Sequence, residues 1–159
     1  MTVDARDRLP LAYDPFGMIV AEVGPVVSLG VGPYGERRYV EIVGGRVDAP
    51  GMSGVVVGGG TDWQIARADN VLEIEAHYCL LLDDGARVEI VSSGLRHGPA
   101  AVLQRLGRGE PVDPGEYFFR TVIRFQTGAA RLAHLNRTMV IAVGARRRAS
   151  VELTLYRVL

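Results

Sequence analysis

Cysteine is nearly absent from this chain: Cys79 is the only one in 159 residues. No internal disulfide can form, so an apolar core must hold the fold, and the cysteine usage fits a reducing compartment. A surplus of one charge is missing too. Lys plus Arg and Asp plus Glu both total 18, a formal net charge of zero. That excludes the basic excess a general nucleic-acid binder needs. The most apolar window, Phe16 to Tyr34, is broken by Glu22, prolines and glycines, so no membrane span is expected. No apolar stretch of a secretory signal follows the polar N-terminus, which makes the cytoplasm the expected location.

Metal-binding and nucleophile spacings are lacking as well. His77, His97 and His134 are scattered, and neither His-Glu-x-x-His, Cys-x-x-Cys nor Gly-x-Ser-x-Gly occurs. Neither a metal nor a cofactor is expected. Gly30-Val-Gly-Pro-Tyr-Gly35 has the glycine spacing of a dinucleotide loop. However, Pro33 lies inside it, and strand-like Glu36-Arg-Arg-Tyr-Val40 follows where that motif needs a helix.

Glycine, in contrast, is plentiful at 20 residues, which favours many turns and a β-rich fold. Residues 1–12 read as a loose tail and 13–159 as one domain. Strands are expected over Phe16 to Leu29 (with a bend at Gly24-Pro25), Arg38 to Val47, Met52 to Ala66, Val71 to Leu82 and Ala86 to Ser92. Three more follow at Tyr117 to Thr127, Thr138 to Arg146 and Ser150 to Val158. Within Val71 to Leu82, Leu72, Ile74, Ala76, Tyr78 and Leu80 share one face, and Glu73, Glu75, His77 and Cys79 the other. Pro99 to Leu106 reads as one short helix, with proline at its start and Gly107 closing it. Ala129 to Asn136 is a turn or a short helical piece. About eight antiparallel strands joined by short loops suit an up-and-down β-barrel, whose interior can hold one small ligand. A sandwich is the alternative.

The stretch Gly58-Gly-Gly-Thr-Asp-Trp-Gln64 is the most informative in the chain. Glycines inside a strand pattern mark a bulge or bend. A bend there would bring Asp62, Trp63 and Gln64 together on the inner wall of a cavity, Asp62 more firmly than Trp63 because successive strand residues face opposite ways. A sheet corner with a buried tryptophan is the simpler alternative. On strand Tyr117 to Thr127, Tyr117, Phe119, Thr121, Ile123 and Phe125 form an apolar face with hydroxyls, and Arg120 and Arg124 point outward. Arg96, His97 and Asn136 lie in rim segments.

Several motifs resemble one family when taken together. They are Pro33-Tyr-Gly-Glu-Arg-Arg38, the Gly58 to Gln64 stretch, Asp83-Asp-Gly85, Gly94-Leu-Arg-His-Gly-Pro99 and Gly109-Glu-Pro-Val-Asp-Pro114. Tyr117-Phe-Phe-Arg-Thr121, Arg124-Phe125 and Leu135-Asn-Arg137 follow in order. From about Pro15 onward the chain resembles the Domain of Unknown Function 3237 family, also catalogued as uncharacterised protein family 0311. The resemblance implies a calycin-like antiparallel barrel with an internal cavity. Some members look like cyclases or isomerases of polyketide-like substrates. The chain departs from the family pattern at Ser92-Ser93, Gln126 and His134.

Two functions fit these residues. One is a cofactor-free cyclase or isomerase acting by acid–base catalysis on an apolar oxygenated substrate. Asp62, Tyr78 and His97 would be catalytic; Trp63, Phe119, Thr121 and Asn136 would bind substrate. The other is a carrier for an apolar small molecule, with the same residues only orienting it. A third, structural reading is a dimeric scaffold with a filled barrel. Outward Leu81, Phe118 and Val122 make a homodimer the expected assembly.

Overall fold

Alternation of apolar and polar residues runs through nearly every strand of this chain, and the strands close on themselves. The computed structural model describes residues 8–159; of the expected tail, residues 1–7 lie outside the described residues, and Arg8 to Ala12 are exposed without regular structure. The strands are β1 (Tyr13–Gly32), β2 (Gly35–Ala49), β3 (Met52–Ala66), β4 (Val71–Leu82), β5 (Arg87–His97), β6 (Phe118–Gln126), β7 (Met139–Arg146) and β8 (Ser150–Val158). Each pairs antiparallel with the next, and β1 pairs with β8 from Tyr13↔Val158 to Glu22↔Ser150. The result is a closed eight-stranded up-and-down barrel, not a sandwich.

Closure needs strands that coil, and glycine bulges supply the local twist. The β3 register slips between Val57 and Thr61 against β4, and between Ile42 and Arg46 against β2. Gly45 and Gly59 take φ of 131° and 101° there, backbone that side-chain-bearing residues avoid. The Gly24-Pro25 bend falls where β1 loses register with β2 between Val23 and Val26.

Two short helical pieces sit at opposite ends. Helix α1 (Ala100–Gly107) starts after Pro99 and buries Val102 and Leu106 against Leu72, Ile74, Tyr117 and Phe119 at one mouth. The other end is plugged by a 3-10 helix, Ala130–Arg137, longer than a simple turn, whose Leu132 and Leu135 join the core with Phe16, Met52 and Phe125. Ile19, Leu80, Ile90 and Ile123 fill the barrel above that plug and are fully buried. Outside, Phe118 and Val122 are about two-fifths exposed, at 40% and 39%.

Candidate functional site

The inward faces of several strands change from apolar to polar as they approach the α1 mouth. In β2, buried Val40 and Ile42 share their face with Arg38. In β5, Val88, Ile90 and Ser92 lead to Gly94 and Arg96, and in β7, Val140, Ala142 and Gly144 lead to Arg146. Beyond its glycine bulge, β3 turns Asp62 and Gln64 the same way. Alternation alone thus brings three guanidiniums, a carboxylate and an amide together at one end.

A chain of hydrogen bonds orients the carboxylate. Arg38 Nε donates to Gln64 Oε1 at 2.8 Å, and Gln64 Nε2 donates to Asp62 Oδ2 at 2.7 Å. Gln64 is only 5% exposed, so water does not compete for these bonds. Tyr117 Oη accepts the Arg146 backbone N–H at 2.8 Å, tying the segment after α1 to the end of β7. The Arg96 guanidinium lies over the Phe119 ring, 5.8 Å from its centroid. Four polar atoms here are buried with no hydrogen-bond partner: Asp62 Oδ1, Tyr78 Oη, Arg96 Nε and Thr121 Oγ1.

Burial dominates the proton affinities. It raises the Asp62 carboxyl above the ordinary carboxylate range, against the opposing pull of the Gln64 hydrogen bond, the Arg96 charge, the Glu75 backbone N–H and the Arg146 charge. Burial also pushes the Tyr78 phenol far up, and the nearby Asp62 charge adds to this, so Tyr78 stays a neutral O–H donor. Arg96 falls to about 10, first through burial and then through repulsion from Arg146 and Arg38. Arg38 and Arg146 are lowered mainly by burial. A cavity of about 190 Å³ at this mouth is lined by Arg38, Arg96, Arg67, Leu72, Leu103 and Asn70 among others, so Arg38 and Arg96 are the members of the cluster that reach it and Asp62 and Arg146 lie behind them. Among the described residues, no group of three or more His, Cys, Asp or Glu side chains converges as a metal site would require.

Of the residues expected to line one cavity, Asp62, Tyr78, Phe119 and Thr121 face the interior. Trp63, His97 and Asn136 do not. Trp63 follows Asp62 with ordinary strand alternation because the bulge ends before it. Its ring sits outside against Tyr39 (centroids 5.1 Å apart) and under Arg37, in a surface groove shared with Glu73 and Glu75. His97 is the last residue of β5, opposite in facing to Arg96; it is exposed and stacks on Phe118 at 4.7 Å. Asn136 is exposed at the plugged end, where its side chain accepts the Thr127 N–H and donates to the Thr127 carbonyl at 2.8 and 3.0 Å. It closes a loop far along the barrel from the mouth. His77, also exposed, pairs with Glu89 at 2.8 Å.

Sequence reasoning put Gln64 on the cavity wall with Asp62 and Arg96 at the rim, but it passed over Arg38 and Arg146 and did not join the four. Their shared signal is parity: each lies an even number of residues from a buried apolar position on its own strand.

The family model described as "Protein of unknown function (DUF3237)" matches residues 12–158. The chain belongs to the DUF3237 family. A UPF0311 protein of Rhodopseudomonas palustris is 40% identical over 141 residues, 89% of this chain and 92% of its own length. The crystal structure of that organism's conserved protein of unknown function superposes with a TM-score of 0.90 at 38% identity, covering 96% of this chain and 99% of that one. A UPF0311 protein of Clostridium acetobutylicum is 33% identical over 157 residues, 98% of this chain and 99% of its own length. An enzyme from Penicillium herquei shares the fold at a TM-score of 0.67 and 17% identity, over 93% of this chain and 96% of that one. Within the DUF3237 family, then, the barrel is common to bacterial relatives, and a more distant fungal enzyme has it too.

Proposed function

We propose that this DUF3237 protein is a small-molecule enzyme of the cyclase or isomerase kind, in which Asp62 moves a proton on an apolar, oxygenated substrate at the barrel mouth. The observation that carries this reading is the state of the Asp62 carboxyl. One oxygen is fixed by Gln64, the other is buried without a partner, and burial raises its proton affinity toward the working range of a general acid or base. A carboxyl held that way can take a proton from one substrate position and return it to another. That exchange consumes no electrons and suits ring closure or double-bond migration. The unpartnered Tyr78 and Thr121 hydroxyls, deeper in the barrel, are fit to donate to substrate oxygens or to a water between them. Fold precedent adds support, since the Penicillium herquei protein of the same fold is described as an enzyme.

The test uses ring closure of a 2′-hydroxychalcone that bears a carboxylate on its other ring to the flavanone, an isomerisation that removes a phenol proton and protonates a carbon. Wild type should accelerate closure over buffer, and Asp62→Asn should remove the acceleration while still binding the product. Equal rates in both proteins would leave a binding protein for the same class of molecule.

A further inference from the structure

The site at the α1 mouth carries more positive charge than its own residues balance. Arg38, Arg96 and Arg146 come from β2, β5 and β7, and each is partly or mostly withdrawn from water. Among the described residues, none of the three forms an ion pair with a carboxylate, whereas six other arginines do: Arg67, Arg105, Arg108, Arg131, Arg147 and Arg157, all outside the barrel. The acids whose charges reach them are Asp62, which is bonded to Gln64 and not to a guanidinium, and Glu36, which acts on Arg38 alone and leaves the three arginines in excess. Three like charges drawn together out of water repel one another and lose hydration, a cost that persists unless a counter-charge arrives. The lowered proton affinity of Arg96, caused partly by Arg146 and Arg38, is that repulsion seen at one residue. Arg96 Nε is buried and has no acceptor.

We propose that the missing counter-charge belongs to the ligand, which is an organic acid bound with its carboxylate between Arg38, Arg96 and Arg146 and its apolar body against Leu72 and Leu103. Guanidinium forks match the two oxygens of a carboxylate, and the apolar side chains between them offer nothing to a bare inorganic anion. The cavity of about 190 Å³ is small beside the roughly 300–1,000 Å³ of common ligand pockets, so it suits a compact acid or the acid-bearing end of a longer molecule. This inference rests on the proton-transfer reading of the same site and names its substrate class. The carboxylate would be anchored by arginine while Asp62 faces the reacting end.

The test is isothermal titration of the full-length protein with benzoate, benzamide and inorganic phosphate at low salt, with melting shifts alongside. Benzoate should bind and raise the melting temperature, benzamide should bind at least about tenfold more weakly, and added salt should weaken benzoate. Arg96→Met and, separately, Arg146→Met should each lower benzoate affinity about tenfold or more without affecting benzamide. Two variants keep the test open should one misfold. Asp62→Asn should bind benzoate as well as wild type or better, since it loses a competing negative charge. Benzoate binding in Asp62→Asn with unchanged chalcone closure would therefore overturn the proton-transfer reading and keep the anion site. Equal binding of benzoate and benzamide, full benzoate affinity in both arginine variants, or phosphate binding more tightly than benzoate would overturn the carboxylate assignment.

Discussion

Gly144 lies flat against the ring of Phe119: a Cβ built on Gly144 would stand 2.6 Å from Phe119 Cγ. The two residues face each other inside the barrel from neighbouring strands, and Arg96 rests on the same ring. The absence of one side chain therefore sets the height of the aromatic floor under a guanidinium.

Gly144→Ala should destabilise the protein by about 1–3 kcal/mol, the usual cost of overpacking a filled interior. It should also weaken benzoate binding, because the displaced ring shifts Arg96. Urea unfolding and titration check the two effects separately. An alanine variant as stable as wild type would show that the Phe119 ring yields freely.

Trp63 offers a direct check on where the site is not. It is the only tryptophan in the chain, 37% exposed on the outer face between Tyr39 and Arg37. Its fluorescence should be quenched by acrylamide equally with and without bound benzoate, and Trp63→Phe should leave benzoate affinity within about twofold of wild type. Protection of Trp63 by the ligand would move the site to the outer wall.

The misplacement of Trp63 shows how far the sequence could be read. Strand alternation made the inward faces of β4 and β6 legible, down to Tyr78, Phe119 and Thr121. Spacing and turn chemistry gave the closed antiparallel order and helix α1. The length of the glycine bulge was not legible: a bulge ending one residue later would have turned Trp63 in and Asp62 out. His97 and Asn136 were assigned from rim loops, where no periodicity fixes a side chain's direction. Arg38 and Arg146 were missed, and Arg96 was left at the rim, because charge suggested solvent. Only strand closure in space shows that Arg38, Arg96 and Arg146 occupy inward positions of separate strands.

Gln64 is the link through which Arg38 holds Asp62. Gln64→Leu removes a hydrogen bond that favours the ionised carboxylate, so the Asp62 carboxyl should titrate higher still. Arg38 Nε and Asp62 Oδ2 would also lose their partner, at about 1–3 kcal/mol for a buried polar group left unpaired. Carboxyl ¹³C shifts followed against pH measure the first effect, and urea unfolding the second. A titration moving downward would mean that Gln64 does not hold the charged form.

Asp62 also ties stability to pH, and the direction follows from its raised proton affinity. In the unfolded chain an aspartate titrates near about 3.9; burial in the barrel moves Asp62 upward. Between those two values the folded protein keeps a proton that the unfolded chain has released, so wild-type stability falls as pH rises from the unfolded value to the folded one. Above it, the full cost of a buried carboxylate is present; below the unfolded value, that cost vanishes. Asparagine has the same shape and never ionises. Asp62→Asn should therefore match wild type in urea unfolding near about pH 4 and become the more stable protein near about pH 8. The gap should open from the unfolded value upward and level off once the ¹³C shift shows Asp62 in the folded protein to have titrated. The opposite result, an asparagine variant that is less stable at neutral pH, would mean that Asp62 serves the three arginines as a permanent counter-charge. A carboxylate bound in that role could not carry a proton to a substrate, and the acid–base reading would fall with it.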